Sequence, residues 1–339
     1  MLLSLFAEDD QKDESPMRTT RRTALATTLA AASLAILLSA CGGPSAPQPG
    51  AAGASDASAG GGSSTIPDTS ALLSAVSKDT TLAAMVPEAI ASTKELKVGS
   101  NVQSAPNNFF AADGSTVIGS DHDIITAIGT KLGLTATYSN LDFGALITSL
   151  QSGRVDTTIA AMNDTATRQQ SIDFVDYLTS GITLMVQKGN PAGITGPDTL
   201  CGKNIAVVTG TSQQTFAEDT STKCVADGKA ALNISVTDSD SQNQTQLRTG
   251  RIDAIVNDLP SAVYISKTTQ DGNAFEVVPG DVIDGAPYGI GVNKDNPGLR
   301  DAIAKALDQL IEDGTYGKIL DAWGISSGKV TSAVVNGGK

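Results

Sequence analysis

The stretch MNDTATR, Met162–Arg168, decides how this chain reads. It follows VDTTIAA, Val155–Ala161, which reads as a buried strand, and it precedes a second apolar patch, IDFVDYL, Ile172–Leu178. Open α/β sheets bind ligands beyond the C-terminal ends of their strands, so a polar loop here is a candidate site. An arginine in that loop has two readings. Its guanidinium fork matches a carboxylate, and a charge-assisted hydrogen bond of that kind contributes roughly 1.5–3 kcal/mol. Alternatively, Arg168 pairs at the surface with a nearby acid such as Asp173.

Outward from that loop, strands and helices alternate. Leu96–Ser100 and Thr135–Tyr138 read as strands. Asp121–Leu132 carries Ile124, Ile125, Ile128 and Leu132 at helical spacing and is stopped by Gly133, and Phe143–Leu150 reads as a helix stopped by Gly153. Such alternation predicts an α/β fold with parallel strands. The chain then repeats itself. LQSGRVD, Leu150–Asp156, precedes one apolar run and the pair Asn163-Asp164, and LRTGRID, Leu247–Asp253, precedes another and the pair Asn257-Asp258. Two similar α/β lobes account for this, although Gly-Arg-x-Asp could be no more than a helix-to-strand joint. Tyr288–Asn293 is placed to return the chain to the first lobe. Leu299, Ile303, Leu307, Leu310 and Ile311 line one helix face ended by Gly314, and Tyr316–Trp323 reads as a further helix. Residues 66–93 read as one or two short helices, with Leu72, Leu73 and Val76 on one face and Pro87 starting the second.

The bulk numbers narrow the function. The chain has 339 residues, 40% hydrophobic and 17% charged, which suits a folded protein of two ordinary domains. Its net charge of -13 argues against nucleic acid as the main partner, because phosphate binding needs a basic face. One histidine and three cysteines cannot build a zinc site of the usual kinds. His122 lies between Asp121 and Asp123 at a helix start, a place for solvent or capping more than for acid–base chemistry. No P-loop or HExxH motif is present. The expectation is therefore a binding protein with no catalytic residue, no cofactor and no metal.

The N-terminal region reads as a targeting segment. Three arginines between Arg18 and Arg22 precede an apolar run, Ala24–Ala40, and the tetrapeptide LSAC, Leu38–Cys41. This tetrapeptide resembles a bacterial lipoprotein lipobox, which would make Cys41 the lipidated residue; a plain secretory signal is the alternative. Residues 1–40 are then the signal, with an acidic stretch at 1–16 that lies outside it and places the expected start at Met17. Residues 41–65 are Gly-, Ala-, Ser- and Pro-rich and read as a flexible tether. Cys201 and Cys224 are expected to pair outside the cytoplasm, with two buried thiols as the alternative.

Several stretches in order carry a family resemblance: LKVGSNVQSAPNNF, DHDIITAIGTKLG, LDFGALITSLQSGRVDTTIAAMNDTATRQQSIDFVDYLTSG, IAVVTGTS, GRIDAIVNDLP and DGTYGKILDAWG. From Leu96 to Trp323 the chain resembles the polar amino-acid solute-binding proteins of ABC importers, the family 3 type. The resemblance implies a two-lobed type II periplasmic-binding-protein fold of the α/β class, with parallel-sheet lobes joined by two crossover segments. Lobe one would take 94–184 and 288–326, lobe two 185–287, and 327–339 would be a tail. It implies that Arg168 grips the α-carboxylate of an amino acid and that Asp258 holds its α-ammonium. On local sequence Asp258 competes as an N-cap for a helix starting near Ser261. Ala161 and Asn163 match positions that meet the ligand, and Thr165 one near the carboxylate. Thr211 would offer a hydroxyl or N–H, and Phe143 would pack on the ligand's side chain or simply in the core. The chain departs from the family pattern at Ser104 and Ser120, where aromatics are usual. It departs again at Asn101, where lysine- and arginine-binding members often carry an aspartate. That amide points to a neutral polar amino acid or a related small metabolite. The expected partners are an ABC permease and, through the lipid, the membrane, with the protein a monomer. A sensor subunit and a dehydratase-like enzyme on the same fold are the alternatives.

Overall fold

The structure, a computed structural model, describes residues 66–339. The expected signal, lipidated Cys41 and tether lie outside the described residues. Three short helices open the described chain, α1 (Ser70–Ser74), α2 (Thr80–Ala83) and α3 (Glu88–Ala91), where one or two were expected. Asp79 caps α2 by accepting from the N–H groups of Thr81 and Leu82, and Pro87 sits at the N-cap of α3. Then follow β1 (Glu95–Ser100), a small hairpin of β2 (Phe109–Phe110) and β3 (Val117–Ile118), α4 (Ser120–Leu132), β4 (Thr135–Asn140), α5 (Leu146–Gln151), β5 (Thr157–Thr158), α6 (Ala166–Gln169) and the long β6 (Asp173–Gln187). The second half runs β7 (Asn204–Val208), α7 (Ser212–Ala226), β8 (Asn233–Thr237), α8 (Asp240–Arg248), β9 (Ala254–Asp258), α9 (Leu259–Thr268), β10 (Phe275–Val277) and β11 (Ile283–Val292). It ends with α10 (Pro297–Glu312), α11 (Thr315–Trp323) and β12 (Val334–Val335).

One mixed sheet runs in the order β4-β1-β5-β11-β6-β9-β7-β8. On one side β1 is parallel to β4 and β5; on the other β7 is parallel to β8 and β9. Between these parallel sets run β11 and β6, antiparallel to each other and to the strands they flank. Strand β6 pairs β11 from Asp173 to Ile182 and β9 from Ile182 to Val186, so it passes from one lobe into the other. Separate apolar cores lie in the two lobes. One gathers Leu96, Val98, Ile124, Ile128, Leu307 and Leu320; the other gathers Ile182, Leu184, Ile205, Val207 and Val256. The expected apolar faces of α4 and α10 pack into the first, with Ile311 only half-buried and each fully buried side chain contributing about 1.5–3 kcal/mol.

The repeated motif is repeated in its hydrogen bonds. Gly153 and Gly250 both adopt φ +69, a left-handed turn that glycine enters without steric cost. Asp156 N–H donates to Lys97 O at 2.8 Å while its Oδ2 accepts from Lys97 N–H at 2.8 Å. Asp253 does the same with Asn204, at 2.7 and 2.8 Å. Each aspartate thus ties the end of a helix-turn to the first strand of its own lobe.

Two expectations are corrected. The run Val155–Ala161 pairs as a strand only at Thr157–Thr158. Beyond it Ile159 N–H still reaches Gly99 O at 3.2 Å, but Ala161 turns to φ +49 and donates its N–H to Asp121 Oδ2 at 2.9 Å. The carboxylate replaces the missing ladder partner and lets the chain leave the sheet. The segment read as a polar tail is also part of the sheet, because β12 pairs β6 with Val334 opposite Asp176 and Val335 opposite Val175. Cys201 and Cys224 form a disulfide, joining the chain before β7 to α7.

Candidate ligand-binding cleft

A cavity of about 40 Å³ lies between the lobes. Asn101, Ser104, Phe143, Ala161 and Asn163 line it from one side; Thr211, Gln213, Asp240, Asn257 and Asp258 line it from the other. Beside it opens a wider space of about 910 Å³, lined by Thr165, Arg168, Gly210, Ser212 and Pro287 among others.

Arg168 sits on the one-turn helix α6, whose N-cap is Thr165; the Thr165 hydroxyl oxygen accepts from Arg168 N–H at 3.3 Å. Its guanidinium does not pair with Asp173. That carboxylate is taken by Lys294 Nζ at 2.7 Å and Arg300 Nη1 at 2.8 Å. Instead Arg168 Nη1 donates to Asn163 O at 2.8 Å and Nη2 to Gly210 O at 3.1 Å, the second bond crossing the cleft. The guanidinium carbon lies 5.5 Å from the centre of the Phe143 ring, a cation–π contact. Burial pushes the guanidinium pKa down and the charges of Asp258 and Asp164 oppose it. An arginine so placed stays charged, and the guanidinium has further N–H groups besides the two used here.

Asp258 occupies the N-cap position of α9, yet its side chain makes no capping bond, and proline stands in the first turn. The capping alternative is therefore not what its carboxylate does. Its Oδ1 is buried and has no hydrogen-bond partner among the described residues. Burial pushes this acid up to about 7, against the opposing pull of the Tyr288 and Gln213 side chains and the Arg168 charge. A dehydrated carboxyl with an oxygen to spare is a receptor for a cation that brings its own N–H groups.

The other expected residues divide. Ala161, Asn163, Phe143, Asn101 and Thr211 all line the inner cavity. Asn101 Nδ2 donates to Leu141 O at 2.9 Å, which fixes the side chain at the cavity wall. Thr211 caps α7, accepting from Gln214 N–H at 3.2 Å and donating to Val208 O at 2.7 Å. Thr165 lines only the outer space and acts as the cap of α6. Among the polar cavity residues, Gln213, Asn257 and Asp240 had not been expected. The first two adjoin expected motifs, so proximity in sequence could have found them. Asp240 stands at the polar start of α8 and gives no sequence signal. Its Oδ1 accepts from Asn257 Nδ2 at 3.1 Å and its Oδ2 from Gln244 Nε2 at 2.9 Å, and burial pushes it up to about 6. His122 bonds Asp123 at 3.0 Å and stacks on Tyr138 at 5.0 Å, and it does not line the cleft. Among the described residues no group of three or more His, Cys, Asp or Glu could hold a metal ion.

Two α/β lobes on shared antiparallel strands, with a polar cavity between them, define a type II solute-binding protein. Residues 96–326 match the model of the bacterial extracellular solute-binding proteins, family 3, and the chain belongs to that family. It is 31% identical over 254 residues to the arginine-binding protein ArgT of Corynebacterium glutamicum, covering 75% of this chain and 82% of that one. It is 31% identical over 254 residues to the lysine/arginine/ornithine-binding periplasmic protein of Escherichia coli, covering 74% and 92%. Among solved structures, an ancestral arginine-binding protein bound to arginine superposes with a TM-score of 0.63 at 32% identity, over 68% of this chain and 98% of that one.

Proposed function

We propose that this chain is an extracytoplasmic lipoprotein, anchored through Cys41, that binds an amino acid between its lobes and delivers it as a monomer to an ABC permease. The lipobox and tether support the anchor, and family membership supports the delivery. The observation that carries the binding reading is the opposition of charges in the cleft. Arg168 offers unused N–H groups from one lobe, and Asp258 offers a buried, partnerless oxygen from the other. An α-carboxylate on the first and an α-ammonium on the second would need both lobes at once, so the ligand favours closure. Binding without catalysis fits the relatives, which are named as binding proteins.

Asp240 bears on the ligand's side chain. Asn101 alone suggests a neutral polar tail. The inner cavity, however, is lined by two acids, Asp240 and Asp258, and, among the described residues, by no cation, the guanidinium of Arg168 standing in the adjoining space. A zwitterion balances Arg168 and Asp258 and leaves Asp240 without a counter-charge, whereas a cationic side chain would supply one. The names of the relatives point the same way. Calorimetry with L-arginine, L-ornithine and L-glutamine tests this. The cationic pair binds more tightly than L-glutamine, Asp240→Asn removes that difference, and Arg168→Ala abolishes binding. Equal affinity for L-glutamine and L-arginine refutes the cationic preference, and undiminished binding by Arg168→Ala refutes the clamp.

A further inference from the structure

We propose that Gly337 and Gly338 are positioning residues for Arg168, and that the segment carrying them straps the arginine loop onto the strand shared by the lobes. The inference rests on the reading of Arg168 given above.

The helix that carries Arg168 is a single turn, Ala166–Gln169. One turn does not hold itself in water, because nucleation fixes several residues for one hydrogen bond. Its direction must come from outside, and the last residues of the described chain supply it. Strand β12 lies along β6, and Asn336 extends the pairing: its N–H donates to Phe174 O at 3.1 Å and its Oδ1 accepts from Phe174 N–H at 2.8 Å. The chain then turns onto the arginine loop. Gly337 N–H donates to Asp176 Oδ2 at 3.1 Å, and Gly338 N–H donates to Asp164 Oδ2 at 2.8 Å. Gln169 Nε2 closes the circuit, donating to Asp164 Oδ1 at 2.8 Å and to Gly338 O at 3.1 Å. Ala166 N–H, at the start of the helix, donates to Lys339 O at 3.2 Å. Asp164 follows Asn163, whose carbonyl receives Arg168 Nη1.

The two glycines are demanded by space. A Cβ on Gly337 would lie 2.5 Å from Asp176 Oδ2, and one on Gly338 would run into the backbone carbonyl of Asp164. Asp164 and Asp176 are themselves buried, so neither can step aside into solvent. Any larger residue at 338 therefore lifts the strap from the loop that aims the guanidinium.

The test uses the whole protein and two readouts. Hydrogen exchange of the segment 163–172 needs no ligand: Gly338→Ala is expected to speed it at least tenfold while α4 and α10 keep their protection. Calorimetry then compares L-arginine with L-argininamide, which lacks the carboxylate, and the preference for L-arginine is expected to fall at least tenfold in Gly338→Ala. Asn336→Ala, which adds no bulk, should move both readouts in the same direction. Unchanged exchange in 163–172, or an unchanged preference, overturns the positioning role. A wild type that does not distinguish the two probes overturns instead the reading of Arg168 as the carboxylate receptor.

Discussion

Arg168 Nη2 donates to the carbonyl of Gly210 at 3.1 Å, and the two residues stand on opposite sides of the cleft. The lobes approach so closely here that a Cβ on Gly210 would lie 3.1 Å from Gly144 Cα. The same guanidinium that is proposed to receive a carboxylate thus also holds the far lobe. A planar fork can do both, because its donors point in several fixed directions, whereas an ammonium lacks the paired geometry that matches a carboxylate.

Arg168→Lys keeps the charge and loses that fork. Its affinity for L-arginine is expected to drop about tenfold to a hundredfold, in line with the loss of a charge-assisted bond. Titration calorimetry reads the change directly, and affinity within twofold of wild type would mean that charge alone suffices.

Affinity should depend on pH through Asp258. Burial holds this acid at about 7, and an ammonium placed beside it favours the ionised form. Below 7 binding must therefore expel a proton. Affinity is expected to be flat above neutrality and to weaken as pH falls, with a limiting slope of about tenfold per unit. Asp240, held at about 6, steepens the fall further down for a cationic side chain. Asp258→Asn binds weakly and loses the step near 7. Calorimetry between pH 5 and 8 measures both curves.

Stability should run the other way. Asp121 and Asp240 sit at about 6, and Asp176 and Asp258 at about 7, all raised chiefly by burial; the neighbouring Asp164 charge adds to the effect at Asp176. Each binds a proton in the folded state over a range where the unfolded acid, near 3.8, has released it. With more protons on the folded side, stability falls as pH rises from about 4 to about 7. Asp173 acts in the opposite sense. Burial alone would raise it, but bonds with Lys294, Asn336 and Arg300 outweigh that and hold it at about 2. Its contribution is present above the unfolded value and is lost as pH falls toward 2. Without added amino acid, the melting temperature should peak near pH 4–5, and a melting temperature that climbs steadily from pH 5 to 8 would contradict this.

Much of the scaffold could be read directly. The apolar faces of α4 and α10 are one-dimensional patterns with a helical period, and the Gly-Arg-x-Asp joints announce themselves twice. The length of the strand before Arg168 could not be read in this way. Val155–Ala161 is apolar enough for a full strand, but Asp121, some 40 residues upstream, draws Ala161 out of the ladder. Asp240 was equally silent, since a polar residue at a helix start looks the same whether it faces solvent or a cavity.

By itself the amino-acid order determined what local periodicity and short-range geometry can dictate: alternating helices and strands, two like halves, and a guanidinium and a carboxylate each closing an apolar run. Only the folded molecule decided which polar groups share a cavity, which acid takes Arg300 in place of Arg168, and where the last strand comes to rest. Those are contacts between residues distant in the chain, set by the packing of two lobes on common strands, and no pattern along a line encodes a distance across it.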